Sequence, residues 1–240
     1  MHGHGEDFVD ALVARFGREG AIERVGHFLT GERRGRIERV LAARLGSLAI
    51  AVEGIHDPGN LLAILRTSEA FGVARFGVVG VTVDDVRRKA GRGARPWLEP
   101  ASYASIEELR ATAERSGMVL AAACVEPGVT HTVDTLPVER PLCLLFGGER
   151  DGLSPAARAA AALHFTVPMV GMVESLNVSV AAGVVLHTLA RRRRDFLGVS
   201  GDLADDERDA LRLRWYAASV DPRLIGGLLS SGGPPGDHAS

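Results

Sequence analysis

Short apolar runs alternate with amphipathic stretches through the middle of the chain, and this alternation limits the fold more than any other feature. Runs at 48–55 (LAIAVEGI), 76–81 (FGVVGV), 118–125 (MVLAAACV), 142–147 (LCLLFG) and 163–168 (LHFTVP) have the length and apolar character of buried strands. The segments between them carry helix signals. Residues 61–71 (LLAILRTSEAF) are amphipathic, and Gly72 stands where a helix ends. Ser105 with Glu108 is a capping box for a helix reaching about Ser116. Ser154-Pro155 is an N-cap followed by proline at the first helical position, and Asn177 to about Arg192 is a long apolar helix. Strands and helices in this alternation fold as an α/β domain with a mostly parallel sheet flanked by helices.

That domain takes in residues 47–195. Residues 1–46 read as a helical extension, because Ile37, Val40, Leu41 and Leu45 recur at helical spacing with arginines between them. Residues 196–228 read as a second, with a helix at 205–217, and 229–240 as a disordered tail. Cys124 and Cys143 sit in apolar runs and read as two buried thiols; no C-x-x-C motif is present.

The remaining arithmetic narrows the class. With 46% hydrophobic and 24% charged residues the chain is globular in composition, and no apolar run approaches the ~18 residues of a membrane span. The N-terminus lacks the basic-then-apolar pattern of a secretion signal, so a soluble cytoplasmic protein is expected. The formal net charge is −2, which disfavours binding nucleic acid by bulk charge. Local distribution differs. Lys89 is the only lysine, and arginines cluster at Arg33, Arg34, Arg36 and Arg39, at Arg87, Arg88, Arg92 and Arg95, and at Arg191 to Arg194. Such clusters on a near-neutral chain point to a local phosphate-binding face or to solvated helix ends.

Ligands of parallel sheets bind beyond the carboxyl ends of the strands. The loops found there are HDPGN (56–60), EPG (126–128), GGERDG (147–152) and MVGMVESLN (169–177). Glycine-rich polar loops of this kind offer backbone N–H and C=O groups to a ligand. No G-x-G-x-x-G opens a helix after a strand, no G-x-x-x-x-G-K-[ST] occurs, and no H-E-x-x-H or acidic metal cluster is present. Dinucleotide, P-loop and metal chemistry are therefore not expected. His56 suits a hydrogen-bonding role in its loop. Neither Ser175 nor Ser179 sits in a G-x-S-x-G elbow. Asn60, Arg66, Glu149, Ser175 and Asn177 remain as candidates. Asn60 and Asn177 can each cap a helix, contact a ligand, or do both. Arg66 puts a charge on a largely apolar helix, which asks for a reason.

Three blocks resemble the motifs of the SpoU/TrmH branch of the SPOUT methyltransferases: HDPGNLLAILRTSEAFGV with Asn60 and Arg66, LLFGGERDGLS with Glu149, and VPMVGMVESLNVSVAAG with Ser175, Leu176 and Asn177. They stand in the family's order, and the likeness covers roughly residues 33–194. The resemblance implies transfer of a methyl group from S-adenosylmethionine to a ribose 2′-hydroxyl of RNA. It implies a deep C-terminal trefoil knot, a rare exception to ordinary connection rules, and a homodimer with the site near its interface. Carried over residue by residue, it assigns cofactor contacts to Ala122 or a neighbour, Gly147, Val167, Met169, Ser175 and Leu176. It assigns catalysis to Arg66, with Asn60, Glu149, Ser175 and Asn177. Where the family often has threonine near Ala122, the run Ala121 to Ala123 has no hydroxyl, so contact there would be through the backbone. Residues 1–46 would form an RNA-binding arm, with RNA contacts at Arg33, Arg34, Arg36, Arg191 and Arg192. The short extensions and PMVGMVxSLNVSVA favour a guanosine in the tRNA D-loop, while HDPGN and the glutamate of VESLN lean toward ribosomal RNA. A non-catalytic RNA-binding relative would be expected to lack Arg66 or Asn60, and both are present.

Overall fold

The computed structural model describes residues 4–81, 97–125 and 129–230, and these divide into two compact units. One runs from Ala43 to Asp202. The other joins the segment ending at Ala42 to the segment beginning at Leu203. The arginines at 87–95 and the EPG loop at 126–128 lie outside the described residues, as does the tail from 231 on.

The central unit contains β1 (Leu45–Glu53), α3 (Pro58–Ala70), β2 (Val73–Val79), β3 (Pro100–Tyr103), α4 (Ile106–Arg115), β4 (Val119–Ala123), β5 (His131–Thr132), β6 (Leu142–Gly147), α5 (Pro155–Ala160), β7 (Leu163–Thr166) and α6 (Val178–Leu197). The strands form one seven-stranded sheet in the order β3-β2-β1-β6-β4-β7-β5. Every pairing is parallel. Alternate side chains serve opposite faces. Leu48, Ile50, Val52, Leu142, Leu144 and Phe146 pack under α3 and α6. Ala49, Ala51, Cys143 and Leu145 pack under α4 and α5. Because both faces are covered, these strands are continuously apolar, which made them legible.

Strand and helix ends differ from the sequence reading by a few residues. The first strand begins at Leu45, ahead of a Gly46-Ser47 pair that looks like a turn, and its register shifts between Leu45 and Ala49. Three elements were not anticipated. Strand β3 opens on a proline, which is tolerated because the strand lies at the sheet edge, and β5 is a two-residue edge strand. The third is a C-terminal helix, α8 (Pro222–Ser230), disguised by its Gly226-Gly227 pair. Cys143 is buried, and burial pushes its thiol up to about 12. Cys124 is only half-buried, because β4 ends at Ala123 and the thiol falls in the following loop.

The arginine run at the end of α6 is mostly turned inward. Arg193 is buried, donates from Nε to Ser47 Oγ at 2.8 Å and from Nη1 to the Val138 carbonyl, and lies 3.8 Å from Asp202. Arg192 donates to the Val133 carbonyl at 2.9 Å. Arg194 donates to the carbonyls of Ala43 (3.0 Å), Phe71 (2.9 Å) and Ser200 (2.7 Å). Arg191 is exposed and pairs with Asp195 at 3.2 Å. Four successive helical positions point in four directions, so a run of four arginines cannot all face solvent.

The second unit is helical: α1 (His4–Gly26), interrupted at Gly17 (φ 68°), α2 (Gly31–Ala42), α7 (Asp205–Ala218) and α8 (Pro222–Ser230). Its core includes Leu12, Val25, Ile37, Leu41, Leu213, Trp215 and Ile225. Glu38 joins two of its helices. Arg212 donates to both Glu38 oxygens at 2.8 and 2.9 Å, and the Tyr216 hydroxyl donates to Oε1 at 2.9 Å. Burial and the bond to Glu38 raise the Tyr216 phenol to about 12. The neutral phenol thus adds stability that is complete below its unfolded value near 10 and fades as pH rises toward about 12. Tyr216→Phe is expected to cost about 1 kcal/mol at neutral pH. It should also remove part of the stability loss above pH 10, read by thermal melts of variant and parent between pH 8 and 12.

Candidate active site

Three loops at the carboxyl ends of β1, β6 and β7 carry the site. After β1, Asp57 caps α3 by accepting from Gly59 N at 2.8 Å, and Pro58 occupies the first helical position, which places Asn60 in the first turn. After β6, Gly148 and Gly152 close a bridge, with Gly152 N donating to Gly148 O at 3.0 Å. Both glycines at the start of this loop are compelled by space. A Cβ on Gly147 would lie 2.1 Å from the carbonyl carbon of Gly152, and one on Gly148 would lie 2.1 Å from Gly54 O. The loop is therefore pressed against the end of β1, with Glu149 exposed at its tip. After β7, Asn177 caps α6: its Oδ1 accepts from Ser179 N (2.8 Å), Ser179 Oγ (2.6 Å) and Val180 N (3.4 Å).

These loops are joined through side-chain amides. Asn177 Nδ2 donates to Asn60 Oδ1 at 3.1 Å, and Asn60 Nδ2 donates to Glu149 Oε1. The direction of the chain is dictated at one end by the helix. Only the Asn177 oxygen can face the N–H groups of α6, so its nitrogen must face Asn60. Asn60 must then present its oxygen to Asn177 and its nitrogen to the carboxylate. Capping and site-building are thus both performed by Asn177.

Beside this chain lies a cavity of about 580 Å³, in the range of small-molecule sites. Phe146 and Phe165 meet edge to face there, 6.4 Å between ring centres, with Val167 and Val185 also lining it. Gly147, Met169, Ser175 and Leu176 line it as well, so five of the six anticipated cofactor positions converge. Ala122 is fully buried within β4, and the next three residues, Ala123, Cys124 and Val125, line the cavity instead. Glu149 and Asn177 belong to both the cavity and the amide chain. Arg66 is exposed on α3, six residues beyond Asn60, and is not among the lining residues. Of the arginines expected to meet RNA, Arg34 and Arg36 are exposed, while Arg33 is half-buried and donates to Ser219 Oγ at 3.1 and 3.3 Å. Arg191 and Arg192 are held as described above.

The sequence reading missed Glu53, the last residue of β1. Its two oxygens accept from Ser154 Oγ and Ser154 N, both at 2.9 Å, and so lock the start of α5 to the strand end. A charged residue closing an otherwise apolar run was the available signal. Among the described residues, none that lines the cavity is a histidine able to activate a protein nucleophile. Such a site can hold a ligand against apolar walls and orient polar groups at its mouth through fixed amides and a carboxylate.

Fold and site together define a parallel α/β protein that takes its ligand beyond the carboxyl ends of its strands. The SpoU rRNA Methylase family profile matches residues 47–187, and the chain belongs to that family. A tRNA (guanosine(18)-2′-O)-methyltransferase of Thermus thermophilus is 38% identical over 167 residues, which cover 68% of this chain and 84% of the relative. The A. aeolicus TrmH/SpoU tRNA modifying enzyme shares the fold with a TM-score of 0.66 at 23% identity, over 79% of this chain and 98% of its own. The SpoU methyltransferase AviRb from Streptomyces viridochromogenes, solved in complex with AdoMet, has a TM-score of 0.53 at 27% identity, over 60% of this chain and 57% of its own.

Two substitutions separate the parts of this geometry. Asn177→Asp keeps the helix cap but replaces the donor that faces Asn60. Stability should change by less than about 0.5 kcal/mol, while the family activity falls roughly 10- to 100-fold; thermal melts and turnover check the two halves. Gly148→Ala should destabilise by up to about 3 kcal/mol, seen as a lowered midpoint in urea.

Proposed function

We propose that this protein methylates a ribose 2′-hydroxyl of RNA using S-adenosylmethionine, and that its substrate is a guanosine in the tRNA D-loop. The observation that carries the reading is the Asn177–Asn60–Glu149 chain at the mouth of the 580 Å³ cavity, since it unites all three family motifs in one place. The relatives named for tRNA guanosine 2′-O-methylation favour tRNA.

The residues present fit the cofactor. The apolar walls suit an adenine ring, and the loops at Gly147, Val167 and Leu176 offer backbone groups for its polar edge. S-adenosylmethionine supplies a methyl group already activated by its sulfonium. The protein must then position the ribose and make its hydroxyl a better nucleophile. Arg66 stabilises the forming alkoxide by its charge. It does not act as a base, since a guanidinium stays protonated. The proton passes to an RNA phosphate. Asn60 and Glu149, held by the amide chain, orient the ribose, and Ser175 and Asn177 shape the loop beside it.

The same reading includes the trefoil knot. It is supported by the return of the 167–177 loop from the far side of β4 to the ends of β6 and α3. A homodimer is supported by apolar side chains left exposed on that loop and the next helix: Val170, Met172, Val173, Val180 and Val184. RNA contact is assigned to the exposed Arg34, Arg36 and Arg191; Arg33 and Arg192, expected to share that role, are engaged by Ser219 and by the Val133 carbonyl instead. No helix among the described residues is long and apolar enough to cross a membrane.

The test is transfer of label from S-adenosylmethionine into total tRNA and, separately, rRNA, with mapping of the modified nucleotide. A 2′-O-methyl in a tRNA D-loop is expected; label confined to rRNA would move the substrate to the ribosome. Arg66→Ala should bind cofactor normally in calorimetry and lose at least about 100-fold in turnover. Substantial turnover by that variant would remove Arg66 from the mechanism.

A further inference from the structure

A second cavity, of about 410 Å³, opens at the carboxyl ends of β1, β2 and β3. Glu53 and Val79 end two of those strands, and Ala104 follows the third. Its walls are apolar, from Ile55, Val79, Val81 and Ile106, and its rim carries His56, Ser105 and Glu107. The loop that forms one wall, Gly54 to His56, leads directly through Asp57 and Pro58 to Asn60. The carbonyl of Gly54 is also the group against which Gly148, the neighbour of Glu149, is packed. The second cavity therefore borders the loop that carries Asn60 and the strand end that supports Glu149, and the proposed function gives the first cavity to the cofactor.

The chemistry of the second cavity is selective. Two carboxylates, Glu53 and Glu107, are among its described lining residues, and their charge disfavours a phosphate beside them. The carboxylate of Glu53 is already engaged by Ser154. That of Glu107 is exposed at the rim, where the Ser105 hydroxyl and its own backbone N–H favour the charged form. What remains is an apolar slot with an anionic acceptor and an imidazole at its edge. A flat ring with apolar faces and a hydrogen-bonding edge fits such a slot.

Resting on the reading of the first cavity, we infer that this second cavity receives the base of the nucleotide being methylated, and that Glu107 selects guanine. Guanine alone among the RNA bases presents two adjacent donors, N1–H and the N2 amino group, to the two oxygens of a carboxylate. Its O6 is then left for a donor such as the His56 ring. Adenine and cytosine place an acceptor against the carboxylate, and uracil a single donor between two acceptors.

The experiment uses the full chain and tRNA transcripts carrying guanosine or inosine at the mapped position, since inosine lacks only the N2 amino group. The parent protein should prefer guanosine by roughly tenfold in kcat/KM, and Glu107→Gln should bring that preference close to one. Ala104→Trp, at an exposed position on the rim, should fill the slot and lower kcat/KM for RNA at least about tenfold. In both variants the affinity for S-adenosylmethionine, measured by calorimetry, should be unchanged. Equal use of guanosine and inosine by the parent protein, or a preference that survives Glu107→Gln, overturns the inference while leaving the methyltransferase reading in place. Absence of transfer into any RNA overturns both.

Discussion

The side-chain amide of Asn177 has one orientation open to it, and the geometry of the site follows from that. Its oxygen is claimed by the N–H groups at the start of α6, which have no partners within the helix. Its nitrogen is thereby committed to Asn60, and the nitrogen of Asn60 to Glu149. A free asparagine amide can flip at little cost, but here a flip at any member would set like against like at the next contact. The polarity of a helix end is in this way transmitted to a carboxylate at the tip of another loop. The close contact of Gly148 with Gly54 holds the loop bearing that carboxylate against the strand that leads to Asn60.

Much of this was legible in the sequence, and the reasons are physical. A sheet covered on both faces needs strands that are apolar throughout, so the four longest central runs stand out whatever their loops contain. Caps at Ser105, Ser154 and Asn177 are local and obey local rules. The edge strands β3 and β5 were hidden because short edges bury little and need no pattern. Sheet order was hidden as well, since nothing in the local pattern says that β6 comes to lie between β1 and β4.

The site was legible as a set of residues but not as an arrangement. Asn60 and Asn177 could each be read as a cap or a contact, and only proximity shows Asn177 to be both. Glu53 escaped notice because its partner, Ser154, is 101 residues away. Arginine clusters misled in the opposite way. Arg192 to Arg194 look like a phosphate-binding run, yet they bond the carbonyls of distant segments. Composition reports charge but not the direction in which a helix turns it.

The position of β6 has a consequence for the way the chain must be assembled. β1 and β4 are both made before β6, and each pairs with it. Until residues 142–147 emerge, the sheet exists as a β1-β2-β3 piece with an unsatisfied edge and a lone β4, whose partners β6 and β7 both follow it. Joining them requires contacts between segments roughly a hundred residues apart, which makes productive closure slow relative to local helix formation. The open edge of β1 and the unpaired β4 are thus the surfaces most exposed to wrong pairing until β6 is made and takes its place between them.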